Sequence, residues 1–193
     1  LNPSSAASDV YKRQIDILTE VKKEQSLTLE KLPYGTDELS PVLSKENVEY
    51  HYNILSKGYV DRYNNNEGDP DFNYGGAKLH NLWWTQLRKP SGANLPVGPI
   101  KEFINTNFKD FDNFKDEVLS AGLKLQGSGW IYLSKKGEVK TTPNQSYKTE
   151  IMMPIDMWEH SYSDYVPDKS AKKKYIENVC LLYTSPSPRD SDS

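Results

Sequence analysis

Ile151-Met152-Met153-Pro154-Ile155, followed at once by Asp156-Met157-Trp158-Glu159-His160, is the stretch from which the rest of the chain can be read. The first part is apolar and reads as a strand by composition. The second part turns polar and opens a helix. Asp156 closes the strand and His160 lies about one helical turn later. At such a strand-to-helix junction a carboxylate and an imidazole can converge on one point.

Only two other histidines exist, His51 and His80. Scattered histidines are usually surface groups or satisfied core residues, so neither would count alone. Their settings make them more interesting. Val48, His51, Leu55, Gly58, Tyr59 and Arg62 recur at spacings of three and four, which predicts a helix from Val48 to about Tyr63. Ser44 is its expected N-cap. Ala77 to Arg88 predicts a second helix, with His80, Trp83, Trp84 and Leu87 on or near one face. A polar group on such a face is costly unless paired. One shared metal ion would satisfy His51, His80, Asp156 and His160 together. Three imidazoles and a carboxylate suit manganese, iron, cobalt or zinc. They suit magnesium and calcium poorly, because those ions prefer oxygen ligands.

Between the two helices, Asn64 to Gly76 is rich in Asn, Gly and Asp and reads as a loop. Together the three pieces predict an antiparallel helical hairpin. Lys89-Pro90-Ser91-Gly92 ends it. The second half changes style. Gly98 to Asn105 and Phe111 to Ala121 read as short helices, the latter opened by Asp110 or Asp112. Trp130 to Leu133, Glu138 to Thr142 and Ile151 to Ile155 read as strands, with a turn at Lys136-Gly137. Glu159 to Tyr165 and Lys169 to Val179 read as helical, and Ile15 to Glu24 as weakly so. The expected class is α+β. An N-terminal helical hairpin domain (25–90) precedes a C-terminal domain (95–179) with a three-stranded antiparallel sheet and helices.

Residues 1–14 and 180–193 differ in character from the middle. Asp9 to Gln14 can be written GAT GTG TAT AAG AGA CAG, and Cys180 to Ser185 can be written TGT CTC TTA TAC ACA TCT. Over nearly their whole length these strings are reverse complements. Both resemble a transposon adapter used in DNA library preparation. The expectation is that both ends are non-native tails, and that the natural protein is a fragment near 15–179.

The 193 residues allow one sizeable domain or two small ones. The mean hydropathy is -0.77. No apolar run reaches about 18 residues, so no membrane-spanning helix is expected. A net charge of -3 gives no support for nucleic-acid binding. A single cysteine excludes an internal disulfide framework and any cysteine-based zinc site. No secretory signal is visible, which favours the cytoplasm, but neither end is a trustworthy guide to localisation.

The D-x-W-E-H motif at Asp156 to His160 resembles the signature of iron/manganese superoxide dismutases. Further similarities follow in family order from about 27 to 165. They are Leu32-Pro33-Tyr34, Glu49-Tyr50-His51 with Tyr59-Val60, His80-Asn81-Leu82-Trp83-Trp84, Phe111 to Lys115, Gly127-Ser128-Gly129-Trp130 and Asn144-Gln145. The resemblance implies superoxide dismutation at one redox-active ion held by His51, His80, Asp156 and His160. It implies that Gln145 hydrogen-bonds metal-bound solvent and that Tyr59 is a gateway in the proton route. Trp84, Trp130 and Trp158 would wall the pocket. Iron-type relatives usually supply the glutamine from the second helix, near Gly76 here. A glycine there with glutamine at 145 is the manganese pattern, so manganese is expected, with iron or either metal as the alternative.

Glu159 and Tyr162 match residues at the family's dimer interface, which implies a homodimer. Two departures stand out. A histidine common four residues after the first ligand is Leu55 here. The arginine usually found near the substrate funnel has no clear counterpart, with Lys172 and Lys173 the nearest substitutes. A dismutase-fold binding protein without catalysis is one competing expectation, and a non-haem iron oxygenase is another.

Overall fold

The computed structural model describes residues 12–13, 26–90 and 95–183. The weak helix expected at 15–24 lies outside them. The first helix opens where expected, with the Ser44 side chain accepting from the Asn47 amide at 3.1 Å. It runs as α1 (Lys45–Tyr50), a π turn (His51–Ser56) and α2 (Lys57–Asn65). A π turn inserts an extra residue and re-aims the side chains beside it. Here Ser56 Oγ donates to the His51 carbonyl at 2.8 Å and accepts from Trp84 Nε1 at 2.9 Å. Asn66, left-handed at φ 54°, ends the helix.

The next helix corrects the sequence reading. The 64–76 segment was expected to be a loop, yet α3 (Pro70–Gln86) begins well inside it. Asp69 caps it by accepting from the Phe72 amide at 2.9 Å, and Pro70 occupies the first turn. That start signal outweighs the Asn and Gly composition, and the connection shrinks to 66–69.

Beyond the hairpin come α4 (Pro99–Phe108) and α5 (Phe111–Lys124), the latter capped by Asp110. Strands β1 (Gly129–Ser134), β2 (Val139–Pro143) and β3 (Ile151–Asp156) form an antiparallel sheet in the order β2-β1-β3. Gly137, at φ 77°, turns the chain from β1 to β2. A 3-10 helix (Glu159–Tyr165), α6 (Ala171–Val179) and a short 3-10 turn (Cys180–Leu182) complete the described chain. The fold is α+β, a helical hairpin followed by a three-stranded antiparallel sheet with helices.

The central strand β1 is buried along its whole length. One apolar core joins it to Leu79 and Trp83 of α3 and Leu87 just beyond it, Phe114 and Val118 of α5, and Tyr175 and Ile176 of α6. Packing continues past Val179, where the sequence reading placed the start of a tail. Cys180, Leu182 and Tyr183 are buried, and the Arg88 amide donates to the Leu182 carbonyl at 2.8 Å. Among the described residues no helix is long and apolar enough to cross a membrane.

Hydrogen bonds tie the hairpin to the second half. Gln86 Nε2 donates to the Met152 carbonyl at 2.7 Å, and Asn47 Nδ2 to the His160 carbonyl at 2.9 Å. The closest approach is at Gly75, where a Cβ would stand 1.8 Å from the Gln145 carbonyl oxygen. Gly75→Ala should therefore push that backbone off α3 and cost about 2–3 kcal/mol. The urea midpoint measures this, and a variant as stable as the wild type would contradict the contact.

Candidate metal centre

Each of the four candidate ligands is placed by a different local device. His51 leaves the first helix at the start of the π turn. His80 sits in the middle of α3, Asp156 ends β3, and His160 lies in the first turn of the following 3-10 helix. The side chains of His51, His80 and Asp156 are 0% exposed, and that of His160 is 21% exposed.

Their donor atoms all lie within 4.8 Å of one another. His51 Nε2 is 3.0 Å from His80 Nε2, 3.2 Å from His160 Nε2 and 3.2 Å from Asp156 Oδ2. Asp156 Oδ2 is farther from the other two imidazoles, at 3.4 Å from His80 and 3.7 Å from His160. For metal bonds of about 2.1 Å, ligands at right angles lie ~3.0 Å apart and ligands at 120° lie ~3.6 Å apart. The spacings thus suit one ion that His51, His80, Asp156 and His160 would hold together.

The hydrogen bonds around the ligands point the same way. His80 Nδ1 contacts the Gly76 carbonyl at 2.7 Å. A carbonyl only accepts, so Nδ1 carries the proton and Nε2 presents a lone pair to the cluster. Asp156 Oδ1 accepts from the Trp158 amide at 2.8 Å, which orients the carboxylate. Asp156 Oδ2 is buried with no hydrogen-bond partner. A bare carboxylate oxygen facing imidazole nitrogens in a dry space is costly unless a cation joins them. The residues present therefore fit a metal ion.

Protonation follows the burial. Desolvation lowers the His51 pKa from 6.5 to about 3, against the pull of Asp156. Burial pushes the Asp156 carboxyl up, but His160, His51 and His80 outweigh it and hold it well below the ordinary carboxylate range. Burial thus keeps the His51 imidazole neutral beside an anion, the protonation state that metal binding needs.

Residues 26–70 match the family model described as iron/manganese superoxide dismutases, alpha-hairpin domain, and residues 96–183 match that of the C-terminal domain. The chain is 34% identical over 174 residues to a superoxide dismutase [Mn/Fe] of Porphyromonas gingivalis, covering 77% of this chain and 90% of that one. It is 31% identical over 194 residues to a mitochondrial superoxide dismutase [Mn] of Arabidopsis thaliana, covering 84% and 83% respectively. It is 30% identical over 184 residues to a superoxide dismutase [Fe] of Escherichia coli, covering 81% and 93%. The chain belongs to the iron/manganese superoxide dismutase family.

Around the candidate ligands lies an aromatic wall. His51 meets Trp83 and Trp84, each at 5.0 Å between ring centroids, and His80 meets Trp130 at 4.9 Å. Trp158 lies 6.0 Å from His160. Trp83 was not among the expected wall residues. Its place three residues after His80 on one helix was the signal that could have found it.

Gln145 is buried, at 1% exposed. Trp130 Nε1 donates to Gln145 Oε1 at 3.0 Å, and Gln145 Nε2 donates to Tyr59 Oη at 3.0 Å. Indole can only donate, so it fixes which way the amide points. Tyr59 must then accept, and its own O–H is free to donate elsewhere. The Tyr59 ring stacks on His80 at 5.1 Å.

A Cβ on Gly76 would stand 2.5 Å from that ring, so α3 has no room for a side chain there. Glu159 is exposed, and Tyr162 is half-buried with its ring 5.9 Å from Tyr175. Lys172 donates to the Leu125 carbonyl and Lys173 pairs with Glu177, so both sequence candidates for a funnel cation have partners on other helical surfaces.

The His51 shift sets an acid limit for the metal-free protein. Its folded pKa, about 3, lies below its ordinary 6.5, so the unfolded chain binds the proton first. Stability is full above pH 6.5 and falls as pH drops toward 3, by up to about 1.4 kcal/mol per pH unit. Urea midpoints of metal-depleted protein between pH 7 and 5 should show the fall, and His51→Gln should flatten it. An unchanged slope in the variant would count against a neutral, buried His51.

Proposed function

We propose that the protein dismutates superoxide at a single ion, manganese rather than iron, held by His51, His80, Asp156 and His160. The reading is carried by the convergence of four donor atoms within 4.8 Å around an unpartnered Asp156 oxygen. When bound, the ion supplies a one-electron store, so that one superoxide leaves as dioxygen and a second, with two protons, leaves as hydrogen peroxide.

The chain's own residues do the remaining work. Asp156 brings one negative charge beside a neutral His51 imidazole. The Gly76 carbonyl and the Trp158 amide fix the donor orientations of His80 and Asp156. The four tryptophans exclude bulk water. Burial raises the Tyr59 pKa above 10.0, so the phenol keeps its proton across neutral pH. With its oxygen occupied by Gln145, that proton is available to an anion in the site. Gln145 and Tyr59 are thus proposed as the catalytic pair that positions and delivers protons.

Manganese is favoured because glycine stands at 76 and the buried amide comes from 145. The relatives' own names include manganese, iron and both. A homodimer through Glu159 and Tyr162 is part of the same proposal. It is supported by the partial exposure of His160, the only one of the four ligands not fully buried. A partner surface would close that gap.

Reconstitution with each metal, followed by superoxide assays, tests the metal reading, and the manganese form should be the more active. His160→Ala should lose bound metal and activity together. Gln145→Leu should retain metal but lose about 10- to 100-fold in activity. Undiminished dismutation by His160→Ala would remove the basis for the ligand set. Glu159→Ala should shift sedimentation toward the monomer.

A further inference from the structure

Arg62 follows Tyr59 by three residues on α2, so the two side chains share a helix face. Its guanidinium carbon lies 4.9 Å above the centre of the Tyr59 ring. Arg62 Nε donates to Asn73 Oδ1 at 3.0 Å. Asn73 is 2% exposed and is itself anchored, donating through Nδ2 to the Glu67 carbonyl at 2.7 Å. The guanidinium is therefore clamped by a neutral partner. Among the described residues it forms no ion pair with a carboxylate. By contrast, Lys57 on the same helix pairs with Asp61 at 2.5 Å.

On its outer side Arg62 lines a surface cleft of about 270 Å³, together with Tyr63, Asn66, Glu67 and Gly68. On its inner side it lies on the ring that stacks against His80. Through these two contacts its charge falls within about 10 Å of a candidate metal ligand. That is a little beyond one Debye length at physiological salt, about 8 Å, and well within the ~30 Å of 0.01 M salt, so the charge is felt at the centre most strongly at low ionic strength. The chain as a whole carries a net charge of -3, which repels a small anion on approach.

We propose that Arg62 supplies the fixed positive charge that draws superoxide toward Tyr59 and the metal centre. The inference rests on the superoxide reading above and adds to it a positioning residue for the anionic substrate. Arg62 acts through its field and through the pose of Tyr59, not as a ligand or a proton donor. Glu67, in the same cleft, opposes it, so the two charges should have opposite effects on capture.

The test compares Arg62→Met, which keeps a long apolar stem, with Arg62→Lys, which keeps the charge, and with Glu67→Gln. Each metal-loaded protein is assayed for kcat/KM with superoxide over a range of ionic strength. Azide, a small anion, is titrated spectroscopically as a probe of anion binding independent of turnover. Arg62→Met should lose about three- to ten-fold in kcat/KM at low salt and bind azide more weakly. The deficit should shrink toward nothing at high salt. Arg62→Lys should recover most of it, and Glu67→Gln should raise kcat/KM at low salt, all with unchanged metal content. A deficit independent of salt, or one that lysine does not rescue, overturns the inference in favour of a packing role. Equal kcat/KM for wild type and Arg62→Met overturns it outright. A wild type that neither dismutates superoxide nor binds azide overturns the superoxide reading as well.

Discussion

A carboxylate oxygen with no proton and no hydrogen-bond donor, enclosed by imidazoles, is the constraint around which this molecule is arranged. Asp156 Oδ2 is fully buried and unpartnered, and three imidazole nitrogens face it at 3.2–3.7 Å. In water such an oxygen would be solvated by several donors. Here tryptophan rings pack against the imidazoles that surround it. Removing water makes an isolated charge expensive, and it also makes attraction to a cation strong. The aromatic wall and the ligand set are therefore two parts of one device, and neither is stable in this form without the other.

That device explains how the two halves of the chain are joined. Two ligands come from the helical hairpin, and two come from the single junction between β3 and the following 3-10 helix. The contacts that cross between halves cluster on the segments that carry ligands. Asn47 binds the His160 carbonyl, Gln86 donates to the Met152 carbonyl at 2.7 Å, and Gly75 lets the Gln145 backbone approach α3. An ion bound across these elements would cross-link them, so its binding energy is also energy of assembly. The hydrophobic core does the same job more diffusely, running unbroken from Leu39 to Tyr183.

The parts legible in the sequence were those in which one residue type has one physical meaning. Three histidines and an aspartate on apolar surfaces, in the order of a known family, carried the site. Ser44 and Asp110 marked helix starts, and Gly137 marked the hairpin turn, because few residues serve those positions as well. The 64–76 segment was misread because composition was allowed to outweigh position. Asn, Gly and Asp favour loops on average, yet Asp69-Pro70 is a specific start signal and Gly75 and Gly76 are small because they are packed against. The π turn at His51 had no readable signal, since it depends on Ser56 and Trp84 meeting across the hairpin. The burial of Leu182 and Tyr183 had no readable signal either, since it depends on Leu87 and Arg88, far away in the sequence.

Gly76, Tyr59 and Gln145 show how tightly space is shared beside the ligands. The Tyr59 ring lies where a Cβ at 76 would have to go, 2.5 Å away. That ring is stacked on His80, and its hydroxyl is held by Gln145. A glutamine presented from position 76 would displace the tyrosine and, with it, the partner of the glutamine at 145. The two arrangements exclude each other sterically, so a single exchange at 76 cannot convert one into the other. The position of the amide is thus set by packing around the Tyr59 ring, and moving it to α3 would require Gly76, Tyr59 and Gln145 to change together.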